Sequence, residues 1–143
     1  MANLLANEYA GRIYPVNPRA EIIMGHKAYP SIKELPEAPD LCVFVIPASA
    51  TINALEECAE KGAKSAVIES GGFAEVDEEG AKLEKRIEEI ARGSGMRILG
   101  PNTSGIISTP RKLITTFFPL GKIRSGSVSY VAQTGNFATH TMK

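Results

Sequence analysis

Apolar and polar positions along this chain fall into two periodicities that take turns. Leu41-Cys42-Val43-Phe44-Val45-Ile46 is an unbroken apolar run between Asp40 and Pro47, the pattern of a strand covered on both faces. From Ala48 to Lys61 the positions Ile52, Leu55, Cys58 and Ala59 recur three or four apart and Gly62 follows, which predicts a crossover helix with a glycine stop. Ser65-Ala66-Val67-Ile68 predicts the next strand, broken by Glu69-Ser70-Gly71-Gly72-Phe73, after which Leu83, Ile87, Ile90 and Ala91 stripe a charged helix ending near Gly93. Arg97 to Leu99 predicts a further strand, and Ser127 to Ala132 another, followed by Gln133-Thr134-Gly135 and the start of a helical pattern. Upstream, Leu4, Leu5 and Tyr9 space a short helix stopped at Gly11, Ile13 to Val16 reads as a strand ended by Asn17-Pro18, and Glu21 to Tyr29 as a short irregular or hairpin excursion.

Strands joined by helical crossovers of this length run parallel, with right-handed connections. The expected fold is therefore α/β: a Rossmann-like parallel sheet with helices on both faces. Four segments should end at one edge of it: Val16-Asn17-Pro18-Arg19, Ile46-Pro47-Ala48-Ser49, Glu69-Ser70-Gly71-Gly72 and Gly100-Pro101-Asn102. In the last, Gly supplies backbone freedom, Pro fixes φ and removes a donor, and Asn can bond its own backbone or tolerate a left-handed conformation, which together make a stiff turn behind a strand. Helices beginning after Pro47 and after Gly72 would aim free backbone N–H groups into the crevice, which favours phosphate oxygens. Arg19 adds a counter-charge, Gly71 and Gly72 permit close approach to the main chain, and Pro47 stiffens a wall suited to an adenine ring. The joint pattern points to a nucleotide-like ligand.

Composition narrows the classes. The 143 residues, 43% of them hydrophobic, suit one ordinary domain with a real core. Sixteen basic and sixteen acidic residues cancel, so there is no basic field to hold nucleic acid. The charges between Glu75 and Glu89 read as a solvated helix surface with intrahelical pairs. Cys42 and Cys58 have neither the spacing nor the histidine neighbours of a metal or CxxC redox site, and read as buried free thiols. No apolar stretch is long enough to cross a bilayer and no secretory signal opens the sequence, so the expected location is cytoplasmic.

The motifs YPVNP at Tyr14 to Pro18, GHKAYPSIKELPEAPDLCVFVIPA at Gly25 to Ala48, CAEKGAKSAVIESGGFAE at Cys58 to Glu75 and RILGPNTSGIIS at Arg97 to Ser108 occur in this order over nearly the whole chain. Together they resemble the CoA-binding domain of NDP-forming acyl-CoA synthetases, relatives of the succinyl-CoA ligase α subunit. The resemblance implies coenzyme A as the ligand, contacted by Ile46-Pro47-Ala48 and Glu69-Ser70-Gly71, with Asn17, Pro18 and Arg19 near its phosphates and Pro101 and Asn102 lining the same crevice. In that family the domain opens with a strand and a Gly-rich loop that grips CoA. Met1 would fall in the following helix, so the first strand is expected to be missing.

Residues 1–121 then form the CoA-binding domain, and 122–143 the start of a second, flavodoxin-like ligase domain, because GSVSYVAQTG at Gly126 to Gly135 resembles its first strand and phosphate-facing turn. The family's reaction runs through an acyl phosphate and a phosphohistidine. Neither His26 nor His140 matches that histidine, so no catalytic residue is expected here. Implied partners are the remaining ligase domains or an ATP-grasp subunit, and a homo-oligomer is a further expectation. The competing readings are a stand-alone, non-catalytic CoA-binding protein, and an NAD-binding domain. The latter would want an acidic residue after the second strand, where Asn17-Pro18-Arg19 stands instead.

Overall fold

A computed structural model describes residues 1–133 and Gly135. The chain opens with α1 (Ala2–Ala6), shorter than the helix expected up to Gly11. The excursion after Asn17 is a two-stranded hairpin, β1 (Ile22–Ile23) with β2 (His26–Lys27), turned at Met24 and Gly25 with φ of 50° and 82°. Two consecutive positive φ values make a mirror-image turn whose twist matches its strands. A short 3-10 turn at Ile32–Glu34 leads to β3 (Leu41–Phe44), α2 (Ala48–Lys61), β4 (Ser65–Ile68), α3 (Glu78–Ser94) and β5 (Arg97–Leu99). A second small hairpin, β6 (Ile107–Ser108) and β7 (Leu113–Ile114), follows.

β3, β4 and β5 form one parallel sheet in that order, with Val43 opposite Val67 and Val67 opposite Leu99. Two right-handed crossovers stepping the same way put α2 and α3 on the same face, where they pack on each other. Phe44, Ala66 and Ile68 from the sheet meet Leu55 and Cys58 of α2, Ile87 and Ile90 of α3, and Phe73 and Met96 in one buried cluster. The helix stripes read from the sequence are the ones buried, while the cover on both faces is incomplete. Val43 is 41% and Leu99 43% exposed on the far face, on the two edge strands β3 and β5 among the described residues, whereas Val67 of the central strand is buried. β3 also stops at Phe44, two residues before the end of the apolar run.

Glycines end both helices. Gly62 adopts φ 89° with the Ala63 N–H donating to Cys58 O at 2.9 Å, and Gly95 adopts φ 73° with its N–H donating to Ala91 O at 2.9 Å. The stop of α3 is thus Gly95 rather than Gly93. Its start is set by Asp77, whose carboxylate accepts from the Gly80 N–H at 2.7 Å. Two expected strands are absent. Residues 13–16 make only a parallel bridge between Val16 and Tyr29, because Pro15 has no N–H to give to a ladder. Residues 127–132 do not take up strand structure, and Val128 is 87% and Val131 98% exposed. The end of the chain expected to begin a helix lies outside the described residues, except for Gly135.

The side of α1 that is buried is polar. Asn3 Nδ2 donates to the carbonyls of Thr116 at 2.8 Å and Phe118 at 2.6 Å, while its Oδ1 accepts from the Leu120 N–H at 3.0 Å. One turn on, Asn7 Nδ2 donates to Gly121 O at 2.7 Å and to Asn3 O at 2.8 Å, and its Oδ1 accepts from Ile123 N–H at 2.9 Å. This ladder runs two residues past the domain boundary expected at 121. Asn3→Ala should therefore destabilise the fold by about 2–3 kcal/mol, since several backbone groups of the 116–120 segment lose their partner together. Urea unfolding with an unchanged m-value is the check, and a loss below about 0.5 kcal/mol would mean that water replaces the amide.

Candidate functional site

The ends of β3, β4 and β5 meet at Ser70. Its hydroxyl accepts from the Ile46 N–H at 3.0 Å, and its carbonyl accepts from the Asn102 N–H at 2.9 Å, so one residue after β4 ties the segments after β3 and β5. Ile46 leaves the ladder for this contact, which is why β3 stops early. Gly100 has φ 102°, and a side chain there would run into the Ile68 carbonyl, so only glycine fits. Asn102 is left-handed at φ 55°, as its residue type allows. Gly72 has φ 99° and lies against Ala48 at the head of α2.

Three of the four expected segments thus share an edge: Ile46-Pro47-Ala48, Glu69-Ser70-Gly71 and Pro101-Asn102. Pro47, Gly71 and Asn102 are exposed along it. The fourth does not join them. Asn17-Pro18-Arg19 forms its own turn, with Asn17 Oδ1 accepting from the Arg19 N–H at 2.8 Å, and no hydrogen bond among the described residues links it to the other three. Arg19 is exposed.

The backbone donors differ from the expected arrangement. No helix begins directly after Gly72: α3 begins at Glu78 with Asp77 as its cap. The amides of Gly72 and Phe73 are already taken by Glu75, whose carboxylate accepts from them at 2.7 and 3.1 Å. Those bonds, the Gly72 one foremost, hold the Glu75 carboxyl below its usual range. Sequence reasoning left Glu75 on a solvated helix face. Its place three residues after Gly72 at a turn is the spacing of a local side-chain cap, and was the available signal. The head of α2 has no side-chain cap. Its Ala50 N–H donates back to Pro47 O at 2.9 Å, which leaves the Ala48 and Ser49 amides as the donors it offers at this edge.

Glu69 has the opposite environment. It is 5% exposed, and neither carboxylate oxygen has a hydrogen-bond partner among the described residues. It packs where Gly105 and Thr115 come together, so that a side chain at Gly105, with φ 91°, would strike both the Glu69 carboxylate and the Thr115 hydroxyl. Burial pushes the Glu69 pKa up to about 7 from 4.5, opposed by the nearby Thr115 hydroxyl, the N-terminal ammonium and the Phe117 backbone, none of them in hydrogen-bonding geometry. Next to this wall, Gly135 lies against Ser104, and a side chain at 135 would collide with the Ser104 hydroxyl.

A raised carboxyl pKa stabilises the folded chain at low pH. Below about pH 4.5 both states hold the proton. Between about 4.5 and about 7 only the folded state does, so stability falls as pH rises through this window. Glu69→Gln removes the titration. The melting temperature of the variant should gain on that of the parent from pH 4.5 to above pH 7 and then run parallel, whereas a constant difference would mean that the carboxylate is solvated.

The CoA binding domain family matches residues 1–109. ADP-forming acetate-CoA ligase II of Archaeoglobus fulgidus is 45% identical over 135 residues, covering 94% of this chain and 20% of that protein. The α subunit of ADP-forming acetate-CoA ligase II of Pyrococcus furiosus is 46% identical over 125 residues, covering 87% of this chain and 27% of that subunit. Among solved structures, the dinucleotide-forming acetyl-coenzyme A synthetase 1 of Ca. Korarchaeum cryptofilum, in complex with phosphate and ADP, superposes with a TM-score of 0.90 at 35% identity, over 98% of this chain and 30% of that one. The chain therefore spans less than a third of the length of these relatives. With the parallel sheet, the knot at Ser70 and the matched sequence in agreement, the chain belongs to the CoA-binding domain family and corresponds to the CoA-binding portion of an NDP-forming acyl-CoA ligase.

Proposed function

We propose that coenzyme A binds along the edge where β3, β4 and β5 end, and that the bound thiol serves an acyl transfer completed by other ligase domains or by an ATP-grasp subunit. The observation that carries this reading is the tie at Ser70, which holds Ile46, Gly71 and Asn102 at one edge beside the uncapped head of α2. Ile46 and Pro47 offer a stiff apolar wall to the adenine ring. The Ala48 and Ser49 amides at the head of α2 offer donors to phosphate oxygens. Gly71 leaves the main chain bare beside Ser70, and Pro101 and Asn102 close the other side. Arg19, with Asn17 and Pro18 shaping its turn, would reach a phosphate by its long side chain. The acid acylated, the nucleotide used and any self-association belong to the whole ligase.

Gly71 gives the sharpest test. Its φ lies outside the left-handed region, and a Cβ there would meet Glu75 Oε1 at 2.9 Å, the movable end of a side chain. Gly71→Val should thus leave the melting temperature within a few degrees of the parent while weakening CoA binding at least tenfold by calorimetric titration, about 1.4 kcal/mol. Equal affinity in the folded variant would remove CoA from this edge. Arg19→Ala should also weaken binding about tenfold at low salt, and the gap should shrink as added salt screens an exposed charge. A salt-independent affinity in both proteins would show that Arg19 meets no phosphate.

A further inference from the structure

The two cysteines lie sixteen positions apart in sequence, yet the fold brings them together. Cys42 is in the middle of β3, Cys58 in the last turn of α2, and the Cys58 S–H donates to Cys42 Sγ at 3.0 Å. A disulfide needs the sulfurs about 2.0 Å apart, so a small side-chain adjustment inside one packed layer brings them into bonding range. Cys58 is completely buried, while Cys42 is partly exposed on the edge strand. A small oxidant therefore reaches Cys42 and not its partner. The same hydrogen bond holds the Cys42 thiol below its usual range and, with burial, pushes the Cys58 thiol up, which makes Cys42 the thiolate of the pair.

We propose that Cys42 and Cys58 form a peroxide-oxidisable pair that closes to a reversible disulfide between β3 and α2. In the first step Cys42 Sγ attacks an oxygen of hydrogen peroxide. The S–O bond forms, the O–O bond breaks, and the departing hydroxide takes up the thiol proton as water. In the second, Cys58 Sγ attacks the sulfenic sulfur of Cys42. The S–S bond forms, the S–O bond breaks, and the Cys58 proton leaves with that oxygen as a second water. Two thiols are oxidised and one peroxide is reduced to two waters. The bridge spans the turn that carries Ile46-Pro47-Ala48, so oxidation pins β3 to α2 on both sides of the proposed ligand wall. The chemistry itself does not depend on CoA binding there.

The full chain, treated with graded hydrogen peroxide, quenched with catalase, alkylated after denaturation and digested, decides the matter by mass spectrometry. The expected product is monomeric, has lost both free thiols and two hydrogens, links the peptides of Cys42 and Cys58, and melts at a higher temperature until dithiothreitol returns it to the parent value. Cys58→Ser, or Cys58→Ala if serine is not tolerated in the core, should instead leave a dimedone-reactive sulfenic acid on Cys42. Cys42→Ser should leave Cys58 unmodified at the same dose. The proposal is overturned if both thiols survive in the parent, if the bridges join separate chains, or if Cys42 of the parent proceeds to sulfinic acid without linking.

Discussion

Parallel pairing of β3, β4 and β5 is the constraint from which the rest follows. Parallel strands end on the same side, and the crossovers between them must be long enough to return, so the chain supplies α2 and α3 and lays both on one face. Burying Leu55, Cys58, Ile68 and Phe73 completely fixes those helices against the sheet. The turns at the far edge are then positioned by the ladder rather than by their own contacts. A single hydroxyl and carbonyl at Ser70 suffice to lock three of them together, because their ends already lie side by side.

Two carboxylates next to that edge illustrate how position alone divides identical chemistry. Glu75 is exposed, accepts from the Gly72 and Phe73 amides and keeps its charge; Glu69, six residues earlier, is enclosed by the Gly105 and Thr115 segment and holds its proton to near neutral pH. The Glu75 bonds also shape the main chain around Gly71 and Gly72, leaving it open on one side and satisfied on the other. Such an arrangement keeps a bare backbone stretch available to a ligand without exposing orphaned donors in its absence.

The parts legible in the sequence were those with a strong local signal. The strand of Ser65–Ile68 and the helix from Ala48 to Lys61 with its glycine stop follow from periodicity, while turn chemistry left the Glu21 to Tyr29 excursion irregular or hairpin and Asn102 self-bonding or left-handed, and the fold takes the hairpin and the left-handed form. The strand expected at residues 13–16 shrank to one bridge with Tyr29 because Pro15, inside the apolar run, has no N–H to extend a ladder. The helix expected after Gly72 is present but starts only at Glu78, because a glycine pair ends a strand without dictating how soon a helix resumes; Asp77 decides that. The meeting of Cys42 with Cys58 had no sequence signature, since it depends on the rotation of α2 over β3.

The burial of the asparagines at α1 had no signal in the apolar pattern, for a related reason. Leu4 and Leu5 supply the apolar spacing of a short helix, yet Asn3 and Asn7 are the buried side chains. The segment from Thr116 to Ile123 runs past α1 without entering a sheet, so its carbonyls and N–H groups cannot be satisfied by a strand neighbour. Something must pair with them if they are to be covered. An amide side chain offers both donors and an acceptor, and two of them one helical turn apart present that combination twice along an extended backbone. A polar stripe on a short helix is in this setting the substitute for a strand partner, and it secures the segment that leads toward Gly135 and Ser104 without adding a strand to the sheet.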